Sequence, residues 1–215
     1  MVRLVYGGST FRILLFMGKL NDFNLQYFID TYKTERLIET GTGVGNSLLH
    51  ALTFPFLRID SCEIVTEQAL RLKEKFANEP RVHIAAQESA EFLCTLLRDE
   101  MAAPDPILFY LDAHYPGSDL GLRPYDAEES AVLRLPLESE LRMIKEYRPY
   151  AKDVIIADDL RIYKRGAFES KNLDEIGLAH IGQYNNAQFA YDLFGGTHEI
   201  EEFAHDTGYL LLVPR

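Results

Sequence analysis

The sequence predicts an α/β fold: a doubly wound mixed sheet of about seven strands, helices on both faces and the last strand antiparallel. Three observations carry that prediction. From Arg36 to Ala157, short apolar runs rich in β-formers alternate with segments of helical periodicity, the pattern of right-handed βαβ crossovers. A glycine-rich run, Thr40 to Gly45, stands directly between the first of these strands and its helix. The chain closes on two apolar runs, Glu199 to Phe203 and Gly208 to Val213, joined only by Ala204-His205-Asp206-Thr207. That spacing has room for a hairpin turn and none for a crossover helix.

Taken in order, residues 1–35 read as an N-terminal lead-in. Tyr6-Gly7-Gly8-Ser9 has turn composition, and Phe11 to Met17 suits either a strand or a buried helical turn; its apolar character makes it a candidate interface for a homodimer. Leu25, Phe28, Ile29 and Tyr32 fall at i, i+3, i+4 and i+7, one face of a short helix for which Asn21 or Asp22 could be the cap. The alternation then runs through strand Arg36–Glu39, helix Asn46–Leu52, strand Phe56–Glu63, helix Thr66–Phe76 and strand Val82–Ala85. It continues with helix Ser89–Leu97, strand Pro106–Leu111, helix Leu135–Tyr147 and strand Val154–Ala157. Between the fourth strand and its helix, Tyr115 to Arg134 is rich in Gly, Pro and Asp and has no periodicity. A connection of that length is either a solvated insertion or a binding loop or lid.

Composition bounds the function. With 215 residues the chain can bury a substantial core as one domain, 1–215, and would be cramped as two. Its 33 acidic against 22 basic residues, a formal charge of −11, weigh against a duplex-binding phosphate face, so no nucleic-acid partner is expected. Ile13 to Met17 is too short to span a bilayer and no cleavage site follows it; no membrane association and a cytoplasmic location are the expectations. Cys62 and Cys94 stand far apart with no C-x-x-C, which excludes a zinc ribbon or a disulfide scaffold.

The most informative segment is Glu39-Thr40-Gly41-Thr42-Gly43-Val44-Gly45. Glycines at alternate positions after a strand allow a sharp turn and let a ligand touch main-chain N–H groups. A dinucleotide fingerprint would put its third glycine where Asn46 stands, and Glu39 would repel a pyrophosphate. An acid there suits a ligand with a cationic amine. On these residues the chain resembles the class I methyltransferases that use S-adenosylmethionine, whose fold is Rossmann-like. The resemblance implies that Glu39, Gly41, Thr42, Gly43, Gly45 and Ser47 hold the amino-acid end of that cofactor. It implies that Glu63, about 20 residues after the loop, takes the ribose hydroxyls, and that Glu88 or Ser89 meets the adenine. Read on its own, Glu63 could simply begin or cap the next helix, and Glu88 or Ser89 could be an N-cap.

Two further strand ends are acidic: Leu111-Asp112-Ala113-His114 and Ala157-Asp158-Asp159. Both belong on the carboxyl edge of the sheet, where open α/β folds bind ligands. Three carboxylates converging there would raise each other's pKa unless a cation neutralised them, and oxygen ligands suit Mg²⁺ or Ca²⁺, with Mn²⁺ possible. The arrangement is similar to that of the cation-dependent small-molecule O-methyltransferases. That resemblance implies Asp112, Asp158 and Asp159 as metal ligands, Asp112 also as a catalytic and cofactor-side residue, and a hydroxyl of a small molecule as methyl acceptor. The sequence departs from the family in having Asp159 where Asn is usual and His114 in place of a lysine, which makes His114 the candidate base. Arg161, Tyr163 and Lys164 could instead neutralise the acids, and that alternative predicts no cation dependence. Tyr184-Asn185-Asn186 with Phe189 and Tyr191 suit an acceptor pocket or a packed helix, and His83, His180, His198 and His205 carry no assignment. Rival readings keep the nucleoside pocket for other metal-assisted chemistry, or for a non-catalytic binding or scaffold domain.

Overall fold

The computed structural model describes residues 4–6, 9–11, 20–98, 105–118, 121, 122, 124–126, 130–149, 151–182 and 187–215. Near the start, β1 (Leu4–Tyr6) and β2 (Ser9–Phe11) pair antiparallel as a separate two-stranded sheet, with Tyr6 opposite Ser9. The rest of the Phe11–Met17 segment lies outside the described residues. Helix α1 (Leu25–Tyr32) is capped by Asn24, whose side chain accepts from the N–H of Tyr27. The expected caps, Asn21 and Asp22, lie too far upstream, and Asp22 is fully buried, accepting the Tyr209 hydroxyl at 3.2 Å.

The alternation follows as β3 (Arg36–Thr40), α2 (Asn46–Ala51), β4 (Arg58–Glu63), α3 (Thr66–Lys75), β5 (Val82–Ala86) and α4 (Ser89–Arg98). Then come β6 (Ile107–Leu111), the short α5 (Ala131–Arg134), α6 (Leu137–Tyr147), β7 (Val154–Ala157), α7 (Gln188–Phe194), β8 (His198–Phe203) and β9 (Tyr209–Pro214). Seven strands form one sheet in the order β5-β4-β3-β6-β7-β9-β8. Those from β3 to β7 are parallel, and β9 runs antiparallel to both β7 and β8. Among its described residues the long connection contains a helical turn, α5, capped by the Ser130 hydroxyl.

Side-chain alternation along each strand feeds two cores, one per face. Leu37, Leu108 and Tyr110 pack with Leu25, Phe28, Leu48 and Leu72, so α1, α2 and α3 cover one face. Ile38, Phe109 and Leu111 pack with Phe92, Leu141, Phe189 and Phe194, so α4, α6 and α7 cover the other. Every residue of β6 is buried, as expected of a central parallel strand. At the amino end of β6 and β7, the Arg148 and Asp153 side chains, 2% and 3% exposed, pair at 2.7 Å, and Asp153 also accepts the N–H of Ile107 at 2.8 Å.

The topology places the site. β4 lies on one side of β3 and β6 on the other, so the strand order reverses at β3. Thr40 is in register with Cys62 and with Leu111. The next residues of the three chains, Gly41, Glu63 and Asp112, therefore emerge together at the carboxyl edge, the switch point where such sheets bind ligands.

Candidate functional site

A cleft of about 300 Å³ opens at that edge, walled by the glycine loop, the ends of β4, β5 and β6, and the turns before α4 and α6. Gly41 has φ +78°, and a Cβ there would stand 2.4 Å from the carbonyl oxygen of Asp112, so only glycine lets the loop press against the end of β6. The N–H groups of Gly41 and Thr42 both donate to the Cys62 carbonyl at 3.0 Å, and the Thr42 hydroxyl meets that of Ser61 at 2.6 Å. Gly43, at φ +55°, has nothing among the described residues within 4 Å of where a Cβ would stand: its α-carbon faces open cleft, where a ligand can approach the main chain. Gly45 does something else. A Cβ there would meet the Leu72 Cδ2 at 2.8 Å, so this glycine lets α2 pack on α3 and does not line the cleft, contrary to its expected place in the ligand loop.

Glu39 also departs from expectation. It is fully buried behind the loop, accepts the hydroxyls of Ser47 and Ser61, and does not line the cleft. A carboxylate one residue short of the strand's end points into the fold and braces the loop from beneath; Ser47 carries the contact to the cleft wall. Burial pushes the Glu39 carboxyl up to about 7. Glu140, on α6, is 1% exposed and burial likewise pushes it up to about 7. Both folded-state values lie above the ordinary 4.5, so the folded chain holds more protons than the unfolded one between pH 4.5 and 7. The stabilisation from these two neutral acids is complete below about pH 4.5 and lost as pH rises through about 7. Glu39→Gln and Glu140→Gln should accordingly raise the unfolding free energy at pH 8 by up to about 3 kcal/mol each and change little near pH 4.5. Urea unfolding at both pH values checks this; equal effects at both would contradict it.

Glu63 is 6% exposed and lines the cleft. One carboxylate oxygen accepts the N–H of Gly43 at 3.0 Å and the other that of Val65 at 2.9 Å. It therefore ties the loop down and begins α3 at once, and each oxygen keeps a lone pair for a ligand hydroxyl. Glu88 accepts the N–H groups of Ala90 and Glu91 at 2.6 and 3.0 Å, the geometry of an N-cap, while it and Ser89 still line the cleft. Gln87, Tyr110 and Pro136 are among the other residues of the wall, as are Tyr115, Pro116 and Gly117 at the start of the long connection; sequence reasoning assigned none of the first three a role, although two of them adjoin a strand's carboxyl end.

Beyond the loop, His114 lies between two acids. Its Nδ1 is 3.4 Å from Asp112 Oδ1 and its Nε2 is 2.5 Å from Asp159 Oδ2. Burial would raise the Asp159 carboxyl, but the His114 ring and then Arg161, whose Nε is 3.3 Å from Oδ1, hold it below the usual range. Asp158 accepts the Tyr110 hydroxyl at 2.8 Å, the Thr207 hydroxyl at 3.1 Å and the N–H of Asp159 at 2.6 Å. Burial, then the charge of Asp159, push Asp158 up to about 7, and burial with Asp158 pushes Asp112 well above its usual range. Asp159 and Tyr115 both have positive φ, 55° and 44°, and such strain collects where function fixes the backbone.

The expected cation cluster does not form. Asp159 is engaged by His114 and Arg161, Asp158 by Tyr110 and Thr207, and among the described residues no three His, Cys, Asp or Glu side chains converge to hold a metal ion. Of the three candidate neutralisers, Arg161 alone serves: Tyr163 packs on Phe189 and Lys164 pairs with Glu202 at 2.5 Å. Phe189 and Tyr191 do not line the cleft, since Tyr191 donates to Glu202; residues 184–186 lie outside the described residues.

Similar sheets occur in solved structures. A caffeoyl-CoA O-methyltransferase-like protein from Staphylococcus aureus matches over 94% of this chain and 86% of its own, with 12% identity and a TM-score of 0.56. The fold is that of the class I methyltransferases. The methyltransferase domain of a bacterial Hen1 protein, CtHen1-C, matches over 91% of this chain and 99% of its own, with 14% identity and a TM-score of 0.52. Spermidine synthase from Thermotoga maritima matches over 88% of this chain and 57% of its own, with 15% identity and a TM-score of 0.51. No protein-family profile matches the sequence, and no curated protein matches it. In this methyltransferase fold the reversed last strand lies between β7 and β8, which brings Thr207 onto Asp158. Among the described residues no helix is long and apolar enough to cross a membrane.

Proposed function

We propose that this chain transfers a methyl group from S-adenosylmethionine to a hydroxyl of a small molecule, with His114 as the base. The observation that carries the reading is the His114–Asp159 contact, set in the same cleft as the glycine loop and Glu63. The cleft suits the cofactor: the open space over Gly43 admits a ligand against the main chain, and Glu63 offers acceptors to a diol. When bound, the cofactor supplies an electrophilic methyl on a positively charged sulfur. The chain's own part is positioning and proton removal. Asp159, at 2.5 Å, fixes the His114 ring through Nε2. His114 lines the cleft, and its longer contact, 3.4 Å from Nδ1 to Asp112, is the one that an incoming hydroxyl would displace to hand over its proton. A base in the cleft favours a hydroxyl over an amine, which is already nucleophilic when neutral. Asp158, Tyr110 and Thr207 lock the backbone that presents Asp159. The residues as arranged do not call for a divalent cation.

The test is thermal unfolding with S-adenosylmethionine, its demethylated product and NAD, followed by labelled methyl transfer to a panel of small hydroxyl compounds. The first two ligands should raise the midpoint. Stabilisation by NAD alone would remove the cofactor reading. Turnover should be unchanged by EDTA, and loss of turnover restored by Mg²⁺ would reinstate the cation.

A further inference from the structure

Two buried carboxyls stand one side chain behind the cleft wall. Glu39 reaches it through the hydroxyl of Ser47, which lines the cleft. Glu140 lies against the hydroxyls of Thr40 and Ser89, Ser89 being a wall residue, and its Oε1, fully buried, accepts no hydrogen bond among the described residues. The groups facing them are mostly acidic. Around Glu140 stand Cys62 from β4, Glu88 at the start of α4, His114 after β6 and Tyr163 after β7. Around Glu39 stand Cys62 and Glu63 from β4 and Asp112 after β6. His114 is the basic group among them, and Asp112 and Asp159 already hold it. A carboxylate buried without a counter-charge is costly, so both acids favour the neutral form while the cleft is empty.

We propose that a fixed positive charge bound in this cleft is matched by proton loss from Glu39 and Glu140, so that the sulfonium cofactor is favoured over its uncharged thioether product as pH rises. The inference rests on the cofactor reading above. The ligand's charge supplies what the buried carboxylates lack, and linkage makes the effect reciprocal: ionising the acids strengthens cation binding by the factor that the cation favours their ionisation. The demethylated product shares every other group and lacks this charge, so it leaves more readily at higher pH. Both carboxyls titrate near neutrality, which puts the coupling in an accessible range.

Calorimetric titration of the full chain with S-adenosylmethionine and with S-adenosylhomocysteine, from pH 5.5 to 8 and in buffers of different ionisation heat, tests this. The affinity ratio of the two ligands should rise with pH, by up to about tenfold per unit for each proton released. The sulfonium form should release more protons, and Glu39→Gln and Glu140→Gln should each flatten the slope. The wild-type ratio needs no variant, so a misfolded substitution does not shield the idea. A ratio constant with pH overturns the coupling, and so does a slope that neither substitution alters, which would locate the titration at Asp112 or Asp158. If neither ligand binds at any pH, the cofactor reading fails and the coupling with it; binding with a flat ratio removes the coupling alone.

Discussion

Replacing His114 with glutamine should slow methyl transfer about 10²- to 10⁴-fold, the usual contribution of a positioned general base. Cofactor affinity should stay within a few-fold, because the loop, Glu63 and Ser89 hold their places without the imidazole. Asp159→Asn should act in the same direction: the amide keeps the volume but can present an N–H to Nε2, which selects the wrong tautomer and removes the charge facing the ring. The measurement is the single-turnover rate with an acceptor from the screen, alongside the cofactor dissociation constant by calorimetry. An unchanged rate with unchanged binding would make His114 a structural residue, and the Asp159 contact a hydrogen bond that only secures the end of β7.

The second large effect is structural and precedes any chemistry. Gly41→Ala should cost about 2–6 kcal/mol and abolish cofactor binding, since strain at positive φ and overpacking each cost about 1–3 kcal/mol. The added methyl would meet the Asp112 carbonyl oxygen at 2.4 Å and its carbon at 2.7 Å, both backbone atoms of a buried central strand's end. Neither has a side-chain rotamer that could move it away. Gly43→Ala is the control: it carries a φ penalty of similar kind but meets open space, so it should cost less stability and act on ligand affinity instead. Urea unfolding of the two variants separates the cases. A Gly41→Ala protein as stable as the parent would mean that the loop is not seated on β6.

How far the site could be read from sequence follows from which contacts are local. The sheet was legible because β6, Ile-Leu-Phe-Tyr-Leu, and its alternating neighbours carry their burial in their composition, and because a link of only five residues, 204–208, forces β8 and β9 to pair. The cleft's position followed from Gly41, Glu63 and Asp112 each lying at a strand's end. The inward direction of Glu39 was not legible because motif spacing does not say which way a strand's last side chains point. The hydroxyls that hold it, Ser47 and Ser61, lie 8 and 22 residues away. The acidic cluster was misjudged for a related reason. Asp112, Asp158 and Asp159 do reach one edge, but Thr207 comes to Asp158 from 49 residues away and Tyr110 from 48, and no local pattern announces them.

The hydrogen bond from Tyr209 to Asp22 joins residues 187 apart, and the strand carrying Tyr209 is inserted between two others. Contacts so distant along the chain close large loops before they give anything back, and folds rich in them form slowly. The glycine loop needs β3, β4, α3 and the end of β6, all of which precede β7 in the chain. The Asp158 side of the site waits for the β8–β9 hairpin to dock and bring Thr207 with it. During refolding, the cofactor half is therefore expected to become competent before the half that holds the base. A chain caught between the two steps would bind ligand without turning it over.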